Sequence, residues 1–215
     1  MLGINARPKV AKVLSPVVTR LARSGITPDM VTLTGTLGSI AAAVFLIGTG
    51  HLFWGAFAVT LFVLLDMLDG ALARARGGGS LFGAVLDSTG DRASDAAIFA
   101  SLAWWFSGGG DNRLLVLLAL ICLVLGVLTS YVKARAEGVG LSADVGIVER
   151  TERLILVLVG TGFLGLGVPY ALHVALWLLL VGSAITVGQR FVAVHRAGRR
   201  PLPTADPVPP TTPAP

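Results

Sequence analysis

The stretch "DMLDGALARARGGGSLFGAVLDSTGD", at positions 66–91, carries four aspartates: Asp66, Asp69, Asp87 and Asp91. It follows directly on "GAFAVTLFVLL", at positions 55–65, an apolar run typical of a membrane-spanning helix. Ionisable groups at membrane depth are costly and usually functional. The stretch therefore predicts both a membrane fold and a functional site at its edge.

The composition supports a membrane protein. The 215 residues are 54% hydrophobic and only 13% charged, and the mean hydropathy is +0.80, whereas soluble domains are about 25% charged. Apolar runs of about twenty residues favour helices over an outer-membrane barrel. The basic first thirty residues lack a continuous apolar core, so we expect no cleavable signal peptide. The net charge of +5 follows from lipid contact and topology, so no nucleic-acid partner is predicted.

Six apolar segments predict an all-α, polytopic membrane protein with six transmembrane helices. They lie at about residues 31–50, 52–74, 81–106, 114–137, 147–165 and 169–194. We predict a cytoplasmic segment over residues 1–27, a six-helix catalytic domain over residues 28–197 and a disordered, Pro-rich cytoplasmic tail over residues 198–215. Within the first segment, "PKVAKVLSPVVTRLARSGI" at positions 8–26 favours an amphipathic interfacial helix over an ordinary packed one. Pro28 and Asp29 predict the start of the next helix, with Asp29 as its N-cap.

The basic residues predict the orientation. All of the 17 lysines and arginines except Arg113 fall at the ends that six spans would place on one side. By the positive-inside rule that side is cytoplasmic, together with both termini. We therefore predict a bacterial plasma-membrane protein whose site faces the cytoplasm.

The spacing of the aspartates predicts a metal site. Asp66 and Asp69 are three positions apart and Asp87 and Asp91 four apart, so each pair shares one helix face. The "GGGS" at positions 77–80 allows a tight turn that brings the two pairs together. Four converging carboxylates need neutralising, and oxygen ligands favour Mg²⁺, with Ca²⁺ or Mn²⁺ as alternatives. Two divalent ions would balance the charge and suit displacement at phosphorus, whereas solvated or arginine-paired aspartates would have no such role.

The full pattern Asp66-x2-Asp69-Gly70-x2-Ala73-Arg74-x8-Gly83-x3-Asp87-x3-Asp91 resembles the signature of the CDP-alcohol phosphotransferases. The resemblance implies that a CDP-linked lipid donates its phosphatidyl group to an alcohol while CMP leaves, and that the protein is a homodimer. The small residues would remove bulk where a ligand lies against the backbone, although close helix packing also explains them.

The same resemblance implies a role for each matched position. The four aspartates would bind two metal ions, and Asp91 would also be the catalytic base that receives the proton of the acceptor hydroxyl. The residues expected to contact the CDP portion are Asp29, Met30, Val31, Thr32, Gly70, Arg74 and Ser80. Ala73 and Gly83 would permit close approach of the ligand.

The acceptor is predicted from a second group of residues. We predict that Ser130, Lys133, Arg153 and Arg190 bind an acceptor phosphate, although topology also collects cations at cytoplasmic helix ends. The segments "TSYVKARAE" at positions 129–137 and "GIVERTERL" at positions 146–154 resemble family members that use inositol 1-phosphate. The predicted substrates are thus CDP-diacylglycerol and inositol 1-phosphate.

Three other functions remain open from the sequence. Glycerol 3-phosphate would need a similar basic pocket, so a phosphatidylglycerophosphate synthase is the nearest alternative. An intramembrane prenyltransferase also holds Mg²⁺ and a diphosphate with aspartates, but the eight-residue spacing before Gly83 disfavours it. A cation transporter would leave Gly70, Ala73 and Arg74 unexplained, and no repeated halves are evident.

Overall fold

The computed structural model of the protein describes residues 25–199. The predicted interfacial helix and the Pro-rich tail lie almost entirely outside these residues. The described residues form six helices and no strand. The helices are α1 (Pro28–Ala42, continued by a π-helical turn at Ala43–Ile47), α2 (Leu52–Ala75), α3 (Leu81–Ser107), α4 (Arg113–Glu137), α5 (Arg150–Gly165) and α6 (Ala171–Gly198).

Side-chain caps determine where the two helices beside the aspartates begin. At the start of α1 the Thr27 hydroxyl accepts a hydrogen bond from the N–H of Met30, at 3.3 Å. The N-cap is therefore Thr27, and the prediction of Asp29 as N-cap is wrong. At the start of α3 the Ser80 hydroxyl accepts a hydrogen bond from the N–H of Gly83, at 2.8 Å.

The turn between α2 and α3 depends on glycine. Gly77 and Gly78 have φ angles of +94° and +134°, which residues with a Cβ rarely adopt. The positive φ angles reverse the chain within a few residues, so the end of α2 lies beside the start of α3. The predicted turn at positions 77–80 is confirmed.

The six helices pack in a closed ring. α1 contacts α2 and α3, α3 contacts α4, α4 contacts α6, α6 contacts α5, and α5 returns to α2. Side chains with almost no exposure fill the ring, among them Ile98, Phe99, Leu118, Val157 and Leu176. Large apolar side chains such as Phe45 and Trp104 point outward, as expected for a surface that meets lipid tails.

Four of the described helices are long and apolar enough to cross a membrane, namely those at Pro28–Ile47, Leu52–Ala75, Arg113–Glu137 and Ala171–Gly198. The chain is thus a multi-pass membrane protein. α5 has only 16 residues, or about 24 Å of helix, which is shorter than the roughly 30 Å hydrocarbon core. α3 carries Asp87, Asp91, Arg92 and Asp95 within its first fifteen residues. Spans at α3 and α5, and hence a total of six, stay predictions.

Candidate active site

Three of the four predicted aspartates converge. Asp66 and Asp69 lie in the later part of α2, and Asp87 lies near the start of α3, across the glycine turn. One carboxylate oxygen from each lies within 4.8 Å of the other two. Helical spacing and the reversal of the chain produce this arrangement together.

Asp91 is the exception. Its carboxylate points to two arginines, with Oδ1 2.8 Å from Nη1 of Arg150 and Oδ2 3.5 Å from Nη2 of Arg92. The structure therefore differs from a simple convergence of four acids. Arg150 and Arg92 therefore supply positive charge directly beside Asp91.

The three converging aspartates suit a hard divalent cation. Oδ1 of Asp66 is buried and has no hydrogen-bond partner among residues 25–199. A desolvated carboxylate oxygen without a partner is unfavourable, and a cation would satisfy it. Asp69 is held differently, because the Thr32 hydroxyl donates to its Oδ2 and the Gly70 N–H to its Oδ1.

A cavity of about 360 Å³ adjoins these aspartates. It lies between the start of α1, the end of α2 and the glycine turn into α3. Its lining residues are Pro28, Asp29, Thr32, Asp69, Gly70, Ala73, Arg76, Gly78, Gly79, Ser80, Gly83, Ala84 and Asp87. The cavity thus brings together Asp29, Thr32, Gly70 and Ser80, four of the seven residues predicted to contact the CDP portion.

The other three predicted CDP contacts lie elsewhere. Met30 is exposed, and Val31 packs against the small apolar cluster of Leu68 and Leu72. Arg74 is exposed and lies beside Gly70, where an added Cβ would be 3.5 Å from its Nη1. Arg76 lines the cavity but was not predicted, since only its neighbour belongs to the signature.

Two glycines leave room for carboxylates. A Cβ on Gly83 would lie 2.9 Å from Oδ1 of Asp29, so the glycine leaves room for that carboxylate, while close approach of a ligand there stays a prediction. A Cβ on Gly35, in α1, would lie 3.1 Å from both Cβ and Oδ1 of Asp66. Sequence reasoning missed Gly35, because its contact depends on how α1 packs against α2.

The four residues predicted to bind the acceptor phosphate are all engaged with protein groups. The Ser130 hydroxyl donates to the carbonyl of Gly126 at 3.1 Å. Arg190 donates from Nε to the carbonyl of Val145 at 2.9 Å and from Nη1 to that of Thr129 at 2.5 Å. Arg190, on α6, thus reaches the carbonyl of Thr129 in α4, the residue next to Ser130.

The other two cations form ion pairs. Nζ of Lys133 donates to Oδ1 of Asp144 at 2.5 Å, and this hydrogen bond and charge lower the pKa of Asp144 below its usual value. Arg153 is 1% exposed and donates from Nη2 to Oδ2 of Asp95 at 2.6 Å. Arg153 lies against Gly126, where an added Cβ would be 3.3 Å from Cζ.

Sequence reasoning also missed Arg150 and Asp95. Arg150, the first residue of α5, reaches Asp91 through Nη1, and its Nε lies 3.6 Å from Oδ1 of Asp95. Asp95 is buried four residues after Asp91, so the helical period that pairs Asp87 with Asp91 could have found it. No local pattern indicates that Arg150 would join them.

Comparisons with known proteins identify relatives of this chain. The family model described as CDP-alcohol phosphatidyltransferase matches residues 25–188. A phosphatidylinositol phosphate synthase of Mycobacteroides abscessus is 54% identical over 196 residues, covering 91% of this chain and 89% of its own length. That of Streptomyces avermitilis is 47% identical over 203 residues, covering 91% and 83%.

Two crystal structures of the Mycobacterium tuberculosis phosphatidylinositol phosphate synthase are also similar. The structure with CDP-DAG bound has a TM-score of 0.85 and 48% identity, covering 91% of this chain and 100% of that one. The structure in complex with manganese and citrate has a TM-score of 0.82 and 51% identity, covering 86% and 90%.

Proposed function

This chain belongs to the CDP-alcohol phosphatidyltransferase family, and from that premise we propose that it transfers the phosphatidyl group of CDP-diacylglycerol to inositol 1-phosphate with release of CMP. The observation that carries the proposal is the cluster of Asp66, Asp69 and Asp87 beside a 360 Å³ cavity. The chain is about half identical to phosphatidylinositol phosphate synthases. The prenyltransferase and transporter alternatives do not hold, because the family match spans residues 25–188.

The cavity is the donor site in this proposal. It lies at the ends of apolar helices, so the acyl chains of CDP-diacylglycerol can stay in the bilayer while its diphosphate reaches the aspartates. The N-terminus of α3 borders the cavity at Ser80 and Gly83, and free N–H groups at a helix start favour phosphate. Arg76 adds a cation at the same wall. A related protein has been crystallised with this donor bound.

Asp66, Asp69 and Asp87 would hold a divalent metal, and Asp91 would complete a second position. The ions, when bound, would polarise the diphosphate and stabilise charge on the departing CMP phosphate. Manganese in a related structure supports a divalent metal; Mg²⁺ as the metal used and two ions per site are part of our proposal. Thr32 orients Asp69, and Gly35 gives Asp66 its space.

Asp91 is the catalytic base of the proposal. It would take the proton of the acceptor hydroxyl directly or through one water. The signature places it one helical turn after Asp87, beside the predicted metal position. Arg150 and Arg92 both contact its carboxylate.

Ser130, Lys133, Arg153 and Arg190 would receive the acceptor phosphate. A neutral alcohol has no use for three cations, whereas a phosphorylated one does. Each residue is bound to a protein group, so the acceptor phosphate would have to replace Asp144 as the partner of at least the half-buried Lys133. We also propose that the site and both termini face the cytoplasm and that the protein is a homodimer, which cross-linking in native membranes would test.

One assay tests the reaction and the acceptor together. The full chain, purified in detergent, is given CDP-diacylglycerol, Mg²⁺ and one acceptor at a time, and CMP release is measured. We expect turnover with inositol 1-phosphate and none with inositol. Turnover with glycerol 3-phosphate alone would overturn the acceptor, and no CMP with any acceptor would overturn the reaction.

A further inference from the structure

Asp91 and Arg150 form a charge contact of poor hydrogen-bond geometry. Nη1 of Arg150 lies 2.8 Å from Oδ1 of Asp91, yet that oxygen is buried and makes no hydrogen bond within the described part of the chain. The contact is electrostatic without alignment, so it is weaker than an aligned pair.

Arg150 has a second carboxylate within reach. Its Nε is 3.6 Å from Oδ1 of Asp95, and both of these atoms also lack hydrogen-bond partners among residues 25–199. Arg150 therefore lies between two carboxylates and is hydrogen-bonded to neither. A small rotation of its side chain would align it with one of them.

Asp95 is fixed, whereas Arg150 can move. Asp95 is anchored through its other oxygen by buried Arg153, which is confined by Gly126. The Arg150 side chain is 25% exposed and projects from the first residue of α5. A change at the site would therefore shift Arg150 rather than Asp95.

A cation that binds Asp91 and the guanidinium of Arg150 repel each other and compete for the same carboxylate. We propose that Arg150 is an internal counter-ion that competes with a divalent cation for Asp91 and passes to Asp95 when the cation binds Asp91. This inference rests on the proposed function only in taking Asp91 as a metal ligand. Asp95 is then a positioning residue that receives the displaced arginine.

Mn²⁺ binding tests the competition without relying on turnover. The loss of the free Mn²⁺ electron paramagnetic resonance signal is titrated for the full chain in detergent. Of the two Mn²⁺ ions that the site is proposed to hold, the more weakly bound one should bind about tenfold more tightly in Arg150→Gln. This is the scale on which neighbours of metal ligands act. Arg135→Gln, which removes an exposed arginine at the end of α4, should bind Mn²⁺ as the wild type does.

Asp95→Asn should have the opposite effect on Mn²⁺ affinity. Because Arg150 loses its second carboxylate and stays on Asp91, the more weakly bound Mn²⁺ should bind several-fold less tightly. Adding Arg150→Gln to this variant should restore the affinity. The double variant also separates competition from misfolding, because a misfolded Asp95→Asn protein would not regain binding.

The outcomes separate this inference from the proposed function. Unchanged or weaker Mn²⁺ binding in Arg150→Gln overturns the counter-ion, while CMP release by the wild type would leave the reaction intact. A wild-type protein that binds no Mn²⁺ overturns both the metal site and the counter-ion.

Discussion

The acidic and basic sides of the site are prepared in opposite ways. On the acidic side, Asp66, Asp69 and Asp87 converge and an oxygen of Asp66 has no partner in the described structure. On the basic side, Ser130, Lys133, Arg153 and Arg190 each bind a carbonyl or a carboxylate of the protein. The three aspartates can bind a cation without first losing an ion pair seen here, whereas the basic residues must exchange or share the protein groups that they already bind.

The physical reason lies in what each group can find inside the bundle. Carboxylates accept hydrogen bonds, and helix interiors offer few spare donors, so clustered aspartates cannot satisfy one another. Arginine and lysine donate, and carbonyls within α4 and in the loop after it supply acceptors. Arg190 shows this, because its donors reach the carbonyls of Val145 and Thr129.

The largest expected effect is that of Asp91→Asn. The variant keeps the shape of the side chain but cannot take a proton, so turnover should fall by about 10² to 10⁴. Binding of CDP-diacylglycerol should largely survive, because Asp66, Asp69 and Asp87 are unchanged. CMP release at saturating substrates and donor binding by calorimetry measure the two effects, and a wild-type rate would remove Asp91 as the base.

Gly35→Ala would disturb the position of Asp66 without changing any charged residue. The added methyl group would meet Asp66 at 3.1 Å, and displacing one metal ligand should weaken Mn²⁺ binding about 10- to 100-fold. Gly162→Ala is the matched control, because its Cβ meets only Ala56, at 3.7 Å. Equal Mn²⁺ affinity in the two variants would show that Asp66 does not need this space.

Arg153→Ala and Lys133→Ala sharpen the comparison within the basic side. Removing Arg153 leaves the buried Asp95 with only the more distant Arg150 beside it, which should cost up to about 3–5 kcal/mol of unfolding free energy as well as raise the acceptor KM. Lys133→Ala should raise the acceptor KM alone, since its partner Asp144 is exposed. Denaturation in detergent and CMP kinetics separate the effects; a donor KM that rises instead would contradict the acceptor pocket.

The sequence predicts the acidic side better than the basic side for a structural reason. The positions of Asp66, Asp69 and Asp87 follow from the helical period and one glycine turn, both of which are local. Arg150 meets Asp91 and Asp95 across two helices that are about sixty residues apart in the chain. Such contacts depend on the ring order of the helices, which no local spacing determines.

The number of spans shows the same limit. The apolar pattern predicts all six helices, and the described structure has a helix at each place. Length and charge, however, make only four of them clear candidates for crossing the membrane. The charged site residues of α3 lower its hydropathy, which is the property used to recognise a membrane-spanning helix.

The smallest expected effect is that of Asp144→Asn. Asp144 forms an ion pair with Lys133 and so competes with the acceptor phosphate for it. Removing the charge of Asp144 should therefore lower the acceptor KM about two- to threefold, the scale of an exposed ion pair. The lowered pKa of Asp144 predicts how this difference in acceptor KM changes with pH. The pair is intact above the usual aspartate pKa and is lost as pH falls through the lowered value, so wild type and variant should converge in acid.

Ionic strength provides the control for this last prediction. The Lys133 and Asp144 side chains are 35% and 68% exposed, so about 1 M salt should screen the pair and remove the difference between wild type and Asp144→Asn. If the acceptor KM rises in the variant instead, Asp144 contacts the acceptor rather than competing with it. Lys133 would then be held in place by a partner that it keeps, and the basic side would be as prepared for its ligand as the acidic side.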